Sequence, residues 1–179
     1  GFPRGADNLS TVAAVRALGV RVDEVHNDLI IHGNGRSALR APTGPIDCGN
    51  SGTTARLLAG LLAGCNIGAT IIGDESLSRR PMERIASPLR EMGAKVSTLP
   101  PNGTLPMVVE KAELSPARLT LPVASAQVKS AILLAALGSE GRTEIQEPYP
   151  SRNHTERMLK EMGVSMDFRP CFAALSGPI

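Results

Sequence analysis

The sequence predicts an α/β fold built from repeated βαβαββ units, three-fold pseudo-symmetric, with an incomplete first unit. Three observations carry this. A helix-stop-strand joint occurs three times, as Arg16-Ala17-Leu18-Gly19-Val20, Arg90-Glu91-Met92-Gly93-Ala94 and Lys160-Glu161-Met162-Gly163-Val164, with its glycines 74 and then 70 residues apart. A small polar turn opening a Leu/Ala helix occurs twice, as Ser51-Gly52-Thr53-Thr54-Ala55-Arg56 and, 74 residues later, Ser125-Ala126-Gln127-Val128-Lys129-Ser130. Aromatic residues make up 2% of the chain, so the core must be Leu, Val, Ile, Ala and Met, which suits helices layered on sheets. The period exceeds the usual solenoid range, so each unit is a small layer in its own right. The expected units are about 1–42 (partial), 43–115 and 116–179, within one domain spanning 1–179.

The elements follow in order. Asp7 to Leu18 reads as a first helix, with Asp7 as N-cap and Leu9, Val12, Ala13, Val15 and Leu18 at helical spacing, stopped by Gly19. Val20 to Val25 and Leu29 to His32 alternate as two strands about a turn at His26-Asn27-Asp28. Gly33, Gly35, Pro42 and Pro45 mark a loop. Asn50 to Thr54 then opens a helix whose body, from Leu57 to Gly64, is only Leu, Ala and Gly, a composition that fits burial on nearly every side. A strand is expected over Asn66 to Ile72, a helix over Pro81 to Met92 with Pro81 in its first turn, and a strand pair over Lys95 to Thr98 and Pro106 to Val109. The last unit opens with a strand at Arg118 to Pro122. A helix over Ser125 to Leu137, a strand over Thr143 to Gln146 and a helix over Ser151 to Met162 follow, then strands at Val164 to Phe168 and Phe172 to Leu175.

Composition narrows the function. A hydrophobic fraction of 42% argues against disorder, and 19 basic against 17 acidic residues leave a net charge of only +2. That is no general field for nucleic acid or membrane, so any anion recognition is local. Cys48, Cys65 and Cys171 have no metal-ligand spacing and read as reduced thiols in a reducing compartment, which points to the cytoplasm. Because no Met precedes Gly1 and Phe2, the chain is expected to begin inside its gene.

Repetition sets equivalent loops at one end of the domain. The helix starts at Asn50 to Thr53, Arg80, Ser125 to Gln127 and Arg152 therefore become candidates for one site. Free first-turn N–H groups and the positive end of each helix dipole favour anions. Arg80 and Arg152 have the planar fork that fits phosphate or carboxylate bidentately, and Arg56, one turn into its helix, adds to the cradle. Bland alternatives stand beside each. Arg80 could be a solvated arginine after Asp74-Glu75, Gln127 a bond to a neighbouring loop, Ser125 only an N-cap, and Arg152 a partner of Glu156 one turn on. Lys129 reads as structural, and His26, His32 and His154 as loop or surface residues. No Ser-His-Asp set, HExxH or Walker loop occurs, and no general acid or base can be named.

Four linked stretches, Gly49-Asn50-Ser51-Gly52-Thr53, Gly73 to Met82, Ser125 to Ala131 and Ser151-Arg152-Asn153-His154-Thr155-Glu156, resemble the 5-enolpyruvylshikimate-3-phosphate synthase family, in its order and spacing and over nearly the whole chain. The Ser-Ala-Gln and Arg-Asn-His-Thr-Glu forms look most like its class II members. The resemblance implies an enolpyruvyl transferase domain. The family moves the enolpyruvyl group of phosphoenolpyruvate to the 5-hydroxyl of shikimate 3-phosphate by addition–elimination, without metal or cofactor, between two domains of three βαβαββ units each. By motif match, Gly52, Arg80 and Gln127 would face phosphoenolpyruvate, with Asn50 and Thr53 in the pocket wall. Ser125, Ala126, Gln127 and Arg152 would hold shikimate 3-phosphate. The family's early Lys-Ser…Arg motif and its partner domain, which carries the catalytic groups, have no match here, so the chain alone is expected not to turn over. Glyphosate occupies the phosphoenolpyruvate pocket in this family. Leu57 where many sensitive members have Pro, with Gly52 kept, suggests intermediate tolerance in the parent enzyme. The competing assignments are the sister transferase acting on UDP-N-acetylglucosamine, disfavoured because no Cys lies between Asp74 and Arg80, and a non-catalytic anion-binding scaffold.

Overall fold

The computed structural model describes residues 1–179. Helix α1 (Ala6–Ala17) leads into the hairpin β1 (Arg21–Val25) and β2 (Asp28–His32), followed by a 3-10 turn at Arg36–Ala38. The middle of the chain forms β3 (Ile46–Asp47), α2 (Gly52–Gly64), β4 (Ala69–Ile72), α3 (Glu75–Ser78), α4 (Glu83–Glu91), β5 (Lys95–Leu99) and β6 (Thr104–Glu110). The remainder forms β7 (Arg118–Thr120), α5 (Ala126–Ala136), β8 (Gly141–Gln146), α6 (His154–Glu161), β9 (Met166–Arg169) and β10 (Phe172–Gly177).

Two four-stranded sheets result, in the orders β3-β4-β6-β5 and β7-β8-β10-β9. In each, the first pair is parallel across a helix and the other two pairs are antiparallel. Alternation aims Leu105, Met107 and Val109 of β6 inward, and Thr143 and Ile145 of β8 likewise. One connected core of 35 buried residues runs from Ala14 to Leu175 through both sheets, so the two layers are one body.

Helices α2 and α5 are the centre of that core. Gly60 lies against Ala131, Gly64 against Leu134 and Ala135, and Thr53 against Gln127, so the helices run parallel and start at the same end. Their backbones nearly touch: a Cβ on Gly60 would fall 2.0 Å from the Ala131 carbonyl oxygen. The Leu/Ala/Gly composition follows from this geometry, since only glycine permits that approach while Leu58 and Leu62 fill the flanks. No helix is long and apolar enough to cross a membrane.

Several boundaries differ from the sequence reading. Gly5, not Asp7, is the N-cap of α1, and Asp7 sits in the first turn with no side-chain cap bond. The fourth helix starts at Glu83 rather than Pro81, because the Met82 and Glu83 N–H groups both donate to Gly103 O and so fix the chain before the helix begins. The sixth starts at His154 rather than Ser151, since Ser151 is held by a buried carboxylate. Helix α3 was not anticipated; four residues are too few for a periodic signal, though its Asp74 cap is in the sequence. The three joint glycines adopt φ of 87, 94 and 91°, the left-handed stop expected after a helix.

Candidate functional site

The shared start of α2 and α5 gathers most of the candidate residues. Ser51 caps α2, its Oγ accepting the Thr54 N–H at 3.2 Å, and Ser125 caps α5 by accepting from the Val128 N–H at 3.4 Å. Small hydroxyl residues stand at both positions because each must accept an orphan donor of the first turn. Two parallel helices then place the positive ends of their dipoles side by side.

Gln127, on the first turn of α5, joins the two helices. Its Nε2 donates to Thr53 Oγ1 at 2.8 Å, and its Oε1 accepts from Arg56 Nη1 at 3.2 Å. The partners lie on α2 rather than on a neighbouring loop, so both ends of the amide are fixed. Thr53 and Leu57 of α2, Ala126, Gln127 and Ser130 of α5, and Arg152, His154 and Thr155 surround a cavity of about 220 Å³. Arg152 is exposed and makes no ion pair; Glu156, the partner considered for it, is buried and bound to Lys129 instead. His154 faces this cavity, which its position in a polar run did not disclose.

The second group lies across the start of α2. Arg80 Nη2 donates to Asn50 Oδ1, and Asn50 Nδ2 donates to Asp74 Oδ2 at 2.8 Å. Asp74 Oδ1 in turn accepts the Leu77 N–H at 2.7 Å, capping α3. These bonds hold the Asp74 carboxyl below its ordinary range, the Leu77 N–H first and the Asn50 amide next. Arg80 is half-buried rather than freely solvated, and Glu75 pairs with Arg79 instead. A Cβ on Gly52 would sit 2.6 Å from Arg56 Nη1 and 3.2 Å from Arg80 Nη1, so both guanidinium groups converge over that glycine. Arg56 is the least content of them: burial lowers its pKa first, and the nearby positive charges of Arg80 and Arg84 lower it further. An arginine so placed is stabilised by an anion arriving beside it.

Arg80, Asn50, Gly52, Thr53, Gln127 and Arg152 thus form one continuous polar rim, linked through Thr53 and Gln127. Ala126 lies in the cavity wall, and Ser125 lies just behind it in the turn. Arg56 belongs to the rim as well; the positive, glycine-bearing helix start around it was the available signal. A larger cavity, about 420 Å³, lies at the far ends of α2 and α5, walled mainly by Leu61, Cys65, Leu134, Leu137 and Met162. Its one arginine, Arg36, is engaged with the Leu137 carbonyl at 3.1 Å. That cavity is lined mainly by hydrophobic side chains.

Fold and rim together define an α/β domain with an arginine-bearing polar cradle shared by two helix N-termini. A family model described as EPSP synthase (3-phosphoshikimate 1-carboxyvinyltransferase) matches residues 1–170. Among curated proteins, 3-phosphoshikimate 1-carboxyvinyltransferase of Xanthomonas oryzae is 48% identical over 99% of this chain and 40% of its own length. The protein of that name from Bacillus pumilus is 46% identical over 93% of this chain and 39% of its own length. The solved structure of EPSP synthase from Acinetobacter baumannii superposes with a TM-score of 0.95 at 44% identity, over 99% of this chain and 40% of that one. The chain belongs to the EPSP synthase family, and it spans about 40% of the length of these relatives.

Proposed function

We propose that this chain supplies one substrate-binding domain of a cytoplasmic enzyme that transfers the enolpyruvyl group of phosphoenolpyruvate to the 5-hydroxyl of shikimate 3-phosphate. In this reading Ser125, Ala126, Gln127 and Arg152 hold shikimate 3-phosphate, Gly52, Arg80 and Gln127 face phosphoenolpyruvate, and Asn50 and Thr53 shape its pocket. The observation that carries it is Gln127, which stands between the Arg152 cavity and the Arg56–Arg80 cradle and touches both. Two substrates that each bear a phosphate and a carboxylate suit two adjacent cationic patches separated by an amide donor. Fixed guanidinium and amide groups would steady negative charge as the tetrahedral intermediate expels phosphate. Acid–base groups would come from a second domain of the same enzyme, consistent with the share of its relatives that this chain spans. Proton transfer needs groups within reach of the reacting atoms, and in this reading those groups lie on the second domain, so the chain alone binds without turning over.

The test is chemical-shift mapping of this chain with shikimate 3-phosphate. Perturbation centred on Ser125, Gln127 and Arg152 supports the assignment. Absence of perturbation there, or preferential binding of UDP-N-acetylglucosamine, ends it. Phosphate release that needs both substrates, from the chain alone, would contradict the division of labour.

A further inference from the structure

Lys129 stands on a helix otherwise dominated by Leu, Ala and small residues, and it is buried with two carboxylates. Its Nζ lies 2.8 Å from Glu147 Oε2 and 2.8 Å from Glu156 Oε1. One ammonium against two carboxylates leaves a formal negative charge in excess inside the protein. Apolar replacements of such clusters are often neutral or stabilising, so stability alone is a weak reason for one to be there.

What separates the two carboxylates is what else they hold. Glu147 Oε1 accepts the Ser125 backbone N–H at 2.9 Å, and Glu147 Oε2 also accepts the Ser151 hydroxyl at 2.8 Å. Its own backbone is fixed by a bond from its N–H to Cys171 O at 2.9 Å. Ser125 caps α5 directly before Ala126 and Gln127, and Ser151 directly precedes Arg152. Glu156 binds Lys129 alone, and its Oε2 has no partner.

We infer that Glu147 is a positioning residue. One buried carboxylate, steadied by Lys129, sets the spacing between the Ser125 turn and the Ser151–Arg152 segment before any ligand arrives. The inference rests on the reading that these segments hold shikimate 3-phosphate. The Gly52–Arg80 cradle is outside its reach, being held by the Asp74–Asn50–Arg80 chain.

Two substitutions separate positioning from mere structure. Glu147→Met and Glu156→Met each leave Lys129 with one carboxylate and the cluster formally neutral, but only the first cuts both tethers. In the full chain, Glu147→Met is expected to speed Ser125 amide hydrogen exchange about tenfold or more, the effect of losing a hydrogen bond to a charged acceptor. It should weaken shikimate 3-phosphate binding by about tenfold and leave phosphoenolpyruvate binding unchanged, whereas Glu156→Met changes none of the three. Should Glu147→Met fail to fold, Ser151→Ala cuts a single tether at a half-buried hydroxyl and should still weaken the sugar phosphate selectively. Equal effects from both carboxylates, weakening of both ligands alike, or unchanged Ser125 exchange would overturn the inference; for Ser151→Ala, unchanged sugar-phosphate binding would do so. If the unsubstituted chain binds neither ligand, the substrate assignment fails separately, and the Ser125 exchange comparison still decides whether Glu147 sets the turn, with Glu147→Gln, whose neutral oxygen would hold the Ser125 N–H more weakly, taking the place of an unfolded Glu147→Met.

Discussion

Gly52 shows how one missing methyl group organises the cradle. Arg56 reaches back over it from one turn further along α2, and Arg80 approaches from the other side. In Gly52→Ala the new Cβ meets the far end of Arg56, a flexible side chain, so the protein should fold while the guanidinium is displaced. Phosphoenolpyruvate affinity is expected to fall about tenfold, with the melting temperature within a few degrees of the parent; a calorimetric titration beside a thermal scan checks both, and unchanged affinity would remove Gly52 from the site. Arg56 marks a limit of the sequence at this scale. Its position one turn into the helix is plain from spacing, but its bond to Gln127, 71 residues away, comes from the side-by-side packing of two helices. Lys129 is a similar case: a lone lysine in a Leu/Ala run suggests a structural role, and nothing in the run says that Glu147 and Glu156 will close on it.

Among elements, the helix starts hold the candidate site, and their onsets are only partly set by local sequence. Ser51 and Ser125 are legible as caps because capping is local. The onsets of α4 and α6 are not, because bonds to the Gly103 carbonyl, distant in sequence, and to the buried Glu147 carboxylate fix the residues that precede them. Short α3 matters through its cap. Asp74 accepts from Leu77 and from Asn50, and Asn50 holds Arg80. Its folded pKa is depressed below the ordinary 3.8, so its contribution is complete above that value and is lost as pH falls through the lower folded value. An NMR titration should therefore give an Asp74 midpoint below 3.8, with the Leu77 amide and the Asn50 side chain shifting in step. A midpoint at or above it would mean that the cap does not hold Asn50.

Across the whole molecule, the α2–α5 seam joins the two sheets. The Leu/Ala/Gly body of α2 implies burial on nearly every side, but that α5 is what covers it, and how closely, depends on contacts such as Gly60 with Ala131 that lie far apart in the sequence. In Gly60→Ala the added Cβ would fall 2.0 Å from a backbone oxygen that cannot swing aside. The expected loss lies at the upper end of the roughly 1–3 kcal/mol typical of overpacking, read as a lowered denaturant midpoint; a midpoint within error of the parent would show that the seam can open.

That seam also governs how the domain can respond to a ligand. With Gly138 backed against the Gly64 carbonyl and Gly60 against Ala131, the two helices mesh like teeth and have no free travel along one another. Adjustment to a bound anion is therefore confined to the rim segments around Arg80 and Arg152, while the two sheets stay locked to each other as one block.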